Sequence, residues 1–308
     1  MANAGDVGFI GLGRMGGPMA RNLARAGYAM HVFDVDVAAR QRIAVERAVT
    51  VHGSPGEVSA RAPVVFTALP NDAIVTETYL GPQGILAGAR PGTITCDCST
   101  VSPAVSQRIQ ADAQARGVTH LDTPMLGSSP QAASGEVFFM VGGDAEALPR
   151  VQPMLAVIGR LTMHVGPSGM GNRIKLLHNA LGAVTAVAVA ESLALCARLR
   201  VDPRTYYDVV CQGGGQAYSR YFDSRGQRII DGNYAPTFTV ELMQKDVALA
   251  AEMAGPSLAH MPMLRETLAA YTEARDAGWA GEDFSGVTHV VENRFGLTIS
   301  SWPERPVT

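Results

Sequence analysis

The sequence predicts an α/β domain with a doubly wound, mostly parallel sheet, followed by an all-helical domain. Three observations carry this. From residue 7 to about 165, short β-rich runs alternate with helical runs, the order that builds a parallel sheet with crossover helices. The first apolar run ends in a glycine-rich turn that opens a helix. After Gly166-Pro167-Ser168-Gly169-Met170-Gly171 the texture changes, and no convincing strand follows. The expected domains are therefore 1–165 and 166–308, joined by a long helix.

The first strand is expected at 7–10. It runs into Gly11-Leu12-Gly13-Arg14-Met15-Gly16, a G-x-G-x-x-G turn, and then into a helix closed by Gly27. Strand, glycine turn and helix form the context that a dinucleotide fingerprint requires. Gly11 permits the tight turn, Gly13 lets the backbone approach a pyrophosphate, and Gly16 lets the helix pack close to the strand. The pyrophosphate would rest on the free N–H groups of the helix start. The competing reading is an ordinary glycine turn. Against it stands Asp34, which ends the second strand, 30–33, about 20 residues past the fingerprint, where a ribose 2′-OH ligand belongs. This is the Rossmann arrangement. A carboxylate there accepts from the ribose of NAD and repels a 2′-phosphate, so NAD is the expected cofactor. Arg14, with Arg40 and Arg42 beyond, keeps NADP possible.

Further strands are expected at 64–68, 93–97, 119–122, 137–141 and 161–165, with helices at 103–116 and 145–158 among the crossovers. Residues 172–200 hold one Gly and no Pro, enough for a helix of roughly 40 Å at 1.5 Å per residue. It is apolar on nearly every face, from Leu176 through Ala180, Val184, Val187 and Leu195 to Leu199. A helix apolar all round is buried all round, between domains or against a partner subunit. Later helices are expected at 204–211, 216–230, 239–254, 263–277 and 285–292, then an irregular, Pro-containing tail.

Bulk properties narrow the function. The chain has 308 residues, 47% of them hydrophobic and 17% charged, so it can build cores and does not read as disordered. A net charge of −3 offers no electrostatic case for nucleic acid or an anionic membrane. The segment 180–199 contains Glu191, Ser192 and Arg198 and reads as a core helix, not a membrane span. Cysteines at 96, 98, 196 and 211 lack metal-ligand spacing, so no metal site is expected. The short polar N-terminus has no basic region of the secretory kind. A cytoplasmic protein with reduced thiols is expected.

Four motifs in order resemble the β-hydroxyacid dehydrogenase family, the group of 3-hydroxyisobutyrate dehydrogenase, tartronate semialdehyde reductase and the glyoxylate/succinic semialdehyde reductases. They are the glycine loop; the run from Asp122-Thr123-Pro124-Met125-Leu126-Gly127-Ser128 to Gly135, similar to D-x-P-V-S-G-G-x-x-x-A-x-x-G; Gly169-Met170-Gly171-Asn172-Arg173-Ile174-Lys175-Leu176-Leu177-His178-Asn179, similar to G-x-G-x-x-x-K-x-x-N-N; and the run ending in Lys245-Asp246, similar to the family's cofactor-side K-D helix. The resemblance covers roughly residues 6–292.

The resemblance implies hydride transfer between a nicotinamide and a carbon bearing a hydroxyl or aldehyde. Lys175 matches the catalytic lysine, whose ammonium stabilises the developing alkoxide and exchanges the proton. Asn179, four residues on, shares its helix face. Leu69 and Pro70 match the pair that closes over the dinucleotide. Thr100 matches a hydroxyl residue near the nicotinamide, although an N-cap role for the following helix is the alternative. Lys245 would reach cofactor or substrate, or else form an ordinary surface pair with Asp246. Leu126, Gly127, Ser128 and His178 fall at substrate positions.

Two departures bear on the substrate. Leu126 stands where the family usually has Ser, so a carboxylate-holding hydroxyl is missing while the Gly127 N–H remains. His178 replaces the first Asn of the helix motif, either as a second acid/base or substrate anchor, or as a packing residue. The reading is an NAD-dependent enzyme acting on a small 3-hydroxyacid or the matching semialdehyde. An imine reductase-like enzyme of the same fold, a branch that generally lacks the lysine, and a non-catalytic dinucleotide-binding scaffold are the alternatives. The site is expected between the domains, and a homodimer or homotetramer is expected from the apolar surface of the helical half.

Overall fold

A computed structural model of the chain describes residues 5–302. The start of the polar N-terminus and the end of the Pro-containing tail lie outside the described residues. The chain forms two compact units, Met1–Lys175 and Leu176–Thr308. The division falls within a helix, ten residues beyond the expected 165/166 boundary.

The first unit carries strands β1 (Asp6–Ile10), β2 (Ala29–Phe33), β3 (Val49–Val51), β4 (Val64–Thr67), β5 (Ile94–Asp97), β6 (Thr119–Asp122), β7 (Met125–Leu126), β8 (Val137–Gly142) and β9 (Gly159–Gly166). They form one sheet in the order β3-β2-β1-β4-β5-β6-β8-β7, with β9 also paired to β8. Pairing is parallel from β3 to β6. β8 runs antiparallel to β6 and β7 and parallel to β9. β3 and β7 were not expected. At three and two residues, neither is long enough to show an alternating pattern.

The crossovers are helices α1 (Gly16–Arg25), α2 (Val37–Ala44), α3 (Pro55–Ser59), α4 (Asp72–Leu80), α5 (Ile85–Gly88), α6 (Pro103–Gln114), α7 (Ser129–Ser134) and α8 (Leu148–Ile158). Their starts follow from local chemistry. Ser54, Asn71 and Ser102 each accept a hydrogen bond from the N–H three residues on, and Pro follows Ser54 and Ser102 at the first helical position. Ser102, not Thr100, caps α6, which settles the N-cap alternative raised for Thr100.

The strands split by period two between the sheet's faces. Val7, Phe9, Val64, Phe66, Ile94 and Cys96 pack with Met19 and Leu23 of α1 and Val151 and Leu155 of α8. Ile10 and Val65 turn to the other face, against Val58, Val75, Tyr79, Ile85 and Ile109. Because the chain runs outward from β1 to β2 and β3 and then returns to place β4 on the other side of β1, the sheet has its switch point between β1 and β4. Open α/β sheets bind ligands outside the carboxyl ends of the strands at such a point.

α9 (Met170–Arg198) begins in the first unit and continues into the second, which adds α10 (Pro203–Gly213), α11 (Gln227–Ile230), α12 (Val240–Ala254), α13 (Pro262–Ala274) and α14 (Thr288–Phe295). Leu176, Ala180, Ala183 and Ala186 pack against Val240, Met243 and Val247 of α12 and Tyr271 of α13. Further along, Ala190, Leu193 and Ala194 meet Val210, Phe222 and Ile229. Small residues on that face let the neighbouring helices approach closely. The opposite face is open: Leu177, Leu181, Leu195 and Leu199 are 57%, 70%, 48% and 65% exposed. Its apolar residues form two stripes, and the chain itself covers only one, so the burial all round expected from the sequence would need the partner subunit. By length and mean hydropathy α9 could cross a membrane, but half of its most apolar window is buried inside the protein, as in a core helix.

The helix expected at 216–230 is also shorter. It comprises a π-helical turn, Phe222–Gly226, leading into α11. Gly214 and Gly215, both at positive φ, end the preceding helix and delay the next.

Candidate active site

The glycine loop leaves β1 with its backbone tied on both sides. The Gly11 N–H donates to Phe33 O (3.0 Å), and the Ala68 N–H donates to Ile10 O (3.0 Å). Gly11 sits at φ +89°, and a Cβ there would lie 2.3 Å from Ala68 O. At Gly16 a Cβ would fall 1.9 Å from Gly11 O. Both glycines are therefore required by the protein itself. Gly13 differs: nothing lies within 4 Å of the Cβ position. Its missing side chain leaves space that no atom of the described residues uses. Met15, at the N-cap of α1, makes no side-chain cap, and the first turn holds no acidic residue. That combination suits an anionic pyrophosphate. Asp34 stands beside it, accepting from Leu12 N with Oδ2 (2.5 Å) and from Asp36 N with Oδ1 (2.8 Å). These bonds brace the loop and leave further lone pairs for ribose hydroxyls.

The two next loops share this edge of the sheet. Leu69 and Pro70 follow β4, and Ser99 and Thr100 follow β5. The Leu69 N–H donates to Ser99 Oγ (2.9 Å), and the Ser99 hydroxyl donates to Asp97 Oδ1 (2.5 Å). Ser102 N also donates to Asp72 Oδ1 (3.0 Å). All the predicted cofactor residues of the first unit thus lie on four loops, those after β1, β2, β4 and β5, linked to their neighbours by hydrogen bonds. Asp97 and Ser99 went unnoticed in the sequence, where a run of small polar residues carries no sign of which one joins two loops.

The substrate-motif segment comprises β7 and the turn and helix of residues 127–135. Leu126 pairs with Phe138 of β8. Gly127 is at φ +143°, and a Cβ there would press on Val137 at 3.0 Å. Ser128 is engaged locally. Its N–H donates to Gln131 Oε1 (2.9 Å), and its hydroxyl donates to the same oxygen, forming a cap for α7.

Asp122, at the end of β6, accepts from Gly169 N (2.7 Å) and Asn172 N (3.1 Å), which fixes the start of α9. Lys175 follows one turn later and is 9% exposed. Buried ammonium groups are rare outside sites that use them.

In the second unit, Asn179 donates from Nδ2 to Asp246 Oδ2 (2.6 Å), and Lys245 Nζ lies 2.9 Å from Asp246 Oδ1. Asp246 is buried. The Lys245–Asp246 pair is therefore not an ordinary surface pair. Since a carboxylate only accepts, the Asn179 amide orientation is determined and its Oδ1 faces His178 Nδ1 at 3.1 Å. His178 must donate from Nδ1. Its ring is exposed, so it does not fill a core position. Asp246 joins the candidate site through Asn179 and was missed in the sequence: its neighbour Lys245 drew the attention, while the partner of Asn179 lies 67 residues away.

A family profile described as the NAD binding domain of 6-phosphogluconate dehydrogenase matches residues 6–166. A second, described as the NAD-binding domain of NADP-dependent 3-hydroxyisobutyrate dehydrogenase, matches residues 169–291. The NAD-dependent L-serine dehydrogenase of Pseudomonas aeruginosa is 35% identical over 92% of this chain and 96% of its own. The 3-hydroxyisobutyrate dehydrogenase of the same organism is 36% identical over 92% and 97%. A solved structure of Mycobacterium tuberculosis 3-hydroxyisobutyrate dehydrogenase with L-serine superposes with a TM-score of 0.83 at 31% identity, covering 93% of this chain and 98% of that one.

The glycine loop yields a paired test. Gly13→Ala should leave the melting temperature near wild type, because the added methyl meets no protein atom, yet weaken NADH binding by about tenfold or more through a steric clash costing about 1.4 kcal/mol or more. Gly16→Ala should instead lower stability by a few kcal/mol, as overpacking does. Calorimetry with fluorescence titration of NADH checks both.

Proposed function

The chain belongs to the β-hydroxyacid dehydrogenase family and is an NAD(P)-dependent dehydrogenase or reductase acting on CH–OH groups; from that premise we propose that it interconverts a small 3-hydroxyacid and the matching semialdehyde, with Lys175 handling the proton. The observation that carries this is the burial of Lys175 at the fixed start of α9. The glycine loop, Asp34, Leu69–Pro70 and Thr100 would hold the dinucleotide, whose nicotinamide supplies or takes the hydride.

In the oxidative direction the substrate hydroxyl gives its proton to Lys175 Nζ as the carbon loses hydride. In the reductive direction the ammonium donates that proton to the forming alkoxide and stabilises its charge. Asn179, held by Asp246, orients the substrate oxygen or the lysine head. Asp246 also pairs with Lys245, so one carboxylate organises two polar groups.

Substrate selection rests on the two departures. The segment 126–128 has no free side-chain hydroxyl, because Leu126 replaces Ser and Ser128 is engaged with Gln131. Backbone N–H groups such as that of Gly127 remain for a substrate carboxylate. His178, with Nδ1 donating to Asn179, turns Nε2 toward an incoming group and serves as a substrate anchor.

Lys175→Ala should lower kcat by about 10²–10⁴, the range for a positioned acid–base group. NADH affinity should change little. Asn179→Ala should move kcat in the same direction by less. Steady-state kinetics with a panel of 3-hydroxyacids and semialdehydes decides; wild-type turnover in Lys175→Ala would overturn the assignment.

Asp34 makes NAD the preferred cofactor. Replacing Asp34 with Ser and adding an Arg nearby should shift kcat/KM toward NADPH. A wild type that already favours NADPH would refute this role for Asp34.

The open leucine stripe of α9 suits a second copy of the chain, giving a homodimer or homotetramer. Leu181→Glu with Leu195→Glu should lower the mass seen by light scattering to that of a monomer. A wild type monomeric at micromolar concentration would contradict the proposal.

A further inference from the structure

Asp97 and Asp122 stand side by side in register at the carboxyl ends of β5 and β6. Both are fully buried. Burial pushes each carboxyl upward in pKa, and hydrogen bonds pull each back: from Ser99 and Thr67 for Asp97, and from the N–H groups of Gly169 and Asn172 for Asp122. Two desolvated neighbouring carboxylates destabilise a fold unless each is well supplied with donors. These two take their donors from different parts of the first unit.

Asp97 Oδ1 accepts from the hydroxyls of Thr67 (2.6 Å) and Ser99 (2.5 Å) and from Ser99 N (3.1 Å). Ser99 Oγ in turn accepts from Leu69 N (2.9 Å). The carboxylate therefore locks the loop after β4 to the loop after β5. Asp122, in the same row of the sheet, takes its donors from the start of α9 instead. Its two oxygens take one N–H each from Gly169 and Asn172. The Asn172 side chain extends the anchor, donating to Ser106 Oγ (3.1 Å) and accepting from Val101 N (3.2 Å). Space is kept for this carboxylate: a Cβ on Gly142 would lie 2.5 Å from Asp122 Oδ1, and one on Gly171 would lie 2.8 Å from Oδ2. Lys175 sits three residues beyond Asn172, on the same side of the helix one turn later.

We propose that the two carboxylates are positioning residues with separate duties: Asp97, through Ser99, sets the cofactor loops, and Asp122 sets the first turn of α9 and with it Lys175. The assignment rests on Lys175 being the proton-handling group. A carboxylate offers acceptors at both ends, which an amide does not. An asparagine in place of Asp122 would turn an NH₂ toward one of the two N–H groups, so one anchor bond is lost and the helix start shifts. A displacement of about 1 Å at a reacting group can cost on the order of 100-fold in rate.

Asp122→Asn should lower kcat by about 10- to 100-fold with NADH affinity within about twofold of wild type. Ser99→Ala removes the bridge to Leu69 and should do the reverse, weakening NADH binding by about fivefold, the value of one hydrogen bond of about 1 kcal/mol, with a smaller effect on kcat. The deciding measurement is a double-mutant cycle. In a Lys175→Ala background, Asp122→Asn should cost no further turnover, because it acts through the lysine. An equal further loss in that background overturns the proposal, as does an Asp122→Asn effect confined to cofactor affinity. If Asp122→Asn does not fold, Asn172→Ala replaces it in the same cycle; it leaves the carboxylate cap and removes the side anchors, and an unchanged kcat would overturn the proposal. Failure of the functional reading is distinguishable, since Lys175→Ala alone would then retain wild-type kcat.

Discussion

A carboxylate cut off from water must be met by hydrogen-bond donors, and at the end of β6 the nearest donors are the first N–H groups of α9. The Asp122 contact with Gly169 and Asn172 satisfies both sides at once. The buried charge gains partners, and the helix gains an anion at its positive end. Much else is a condition of this contact. Gly142 and Gly171 must lack side chains so that the carboxylate fits. Gly169, at φ +85°, must turn the chain so that its N–H points inward. Asn172 must be buried to hold the neighbouring α6 and the loop after β5. With the helix start fixed, the residue one turn later is held as well, and that residue is Lys175.

The same helix shows how one apolar sequence can serve two different surfaces. Its inward face is built of alanines with Leu176 and Leu193, small enough for α12 and α13 to pack closely. Its outward face carries the larger leucines at 177, 181 and 195, and Leu199 follows just past its end. If the composition served only the core, the large side chains would point in. The larger leucines instead point outward, onto the face proposed above as a contact between copies of the chain.

The fold was legible in the sequence to the extent that its signals were local. The alternation of strands and helices and the glycine loop with Asp34 need only short windows. β3 and β7 escaped because a strand of two or three residues has no period to detect. The exposure of Leu181 escaped because periodicity measures apolarity and not what lies opposite. Among the candidate site residues, Lys175 and Asn179 could be proposed from the sequence because they fall in a motif similar to the family's, Asn179 sharing the helix face of Lys175. Asp246 and Asp97 were not, because their roles depend on partners that only the tertiary fold supplies. Ser128 read as a substrate position, yet its polar groups bond to Gln131. Sequence shows the hydroxyl but not its neighbour.

The two helices that begin at glycine-rich turns make the limit of such reading concrete. Gly11-Leu12-Gly13 precedes α1, and Gly169-Met170-Gly171 opens α9; on paper both are G-x-G at a helix start. Their surroundings differ. Among the described residues nothing lies within 4 Å of the Cβ position of Gly13, and α1 has no side-chain cap, so its positive end is open to the proposed dinucleotide. At Gly171 the same space is filled by Asp122 Oδ2 and Met140 O, and the helix end is already neutralised from within. One N-terminus is kept open for an anion that comes and goes. The other is closed by an anion the chain carries itself. The closed end makes α9 a fixed support for Lys175, the residue proposed to handle the proton, and the open end leaves α1 as the surface proposed for the dinucleotide. Both follow from whether a carboxylate on a neighbouring strand reaches the helix first.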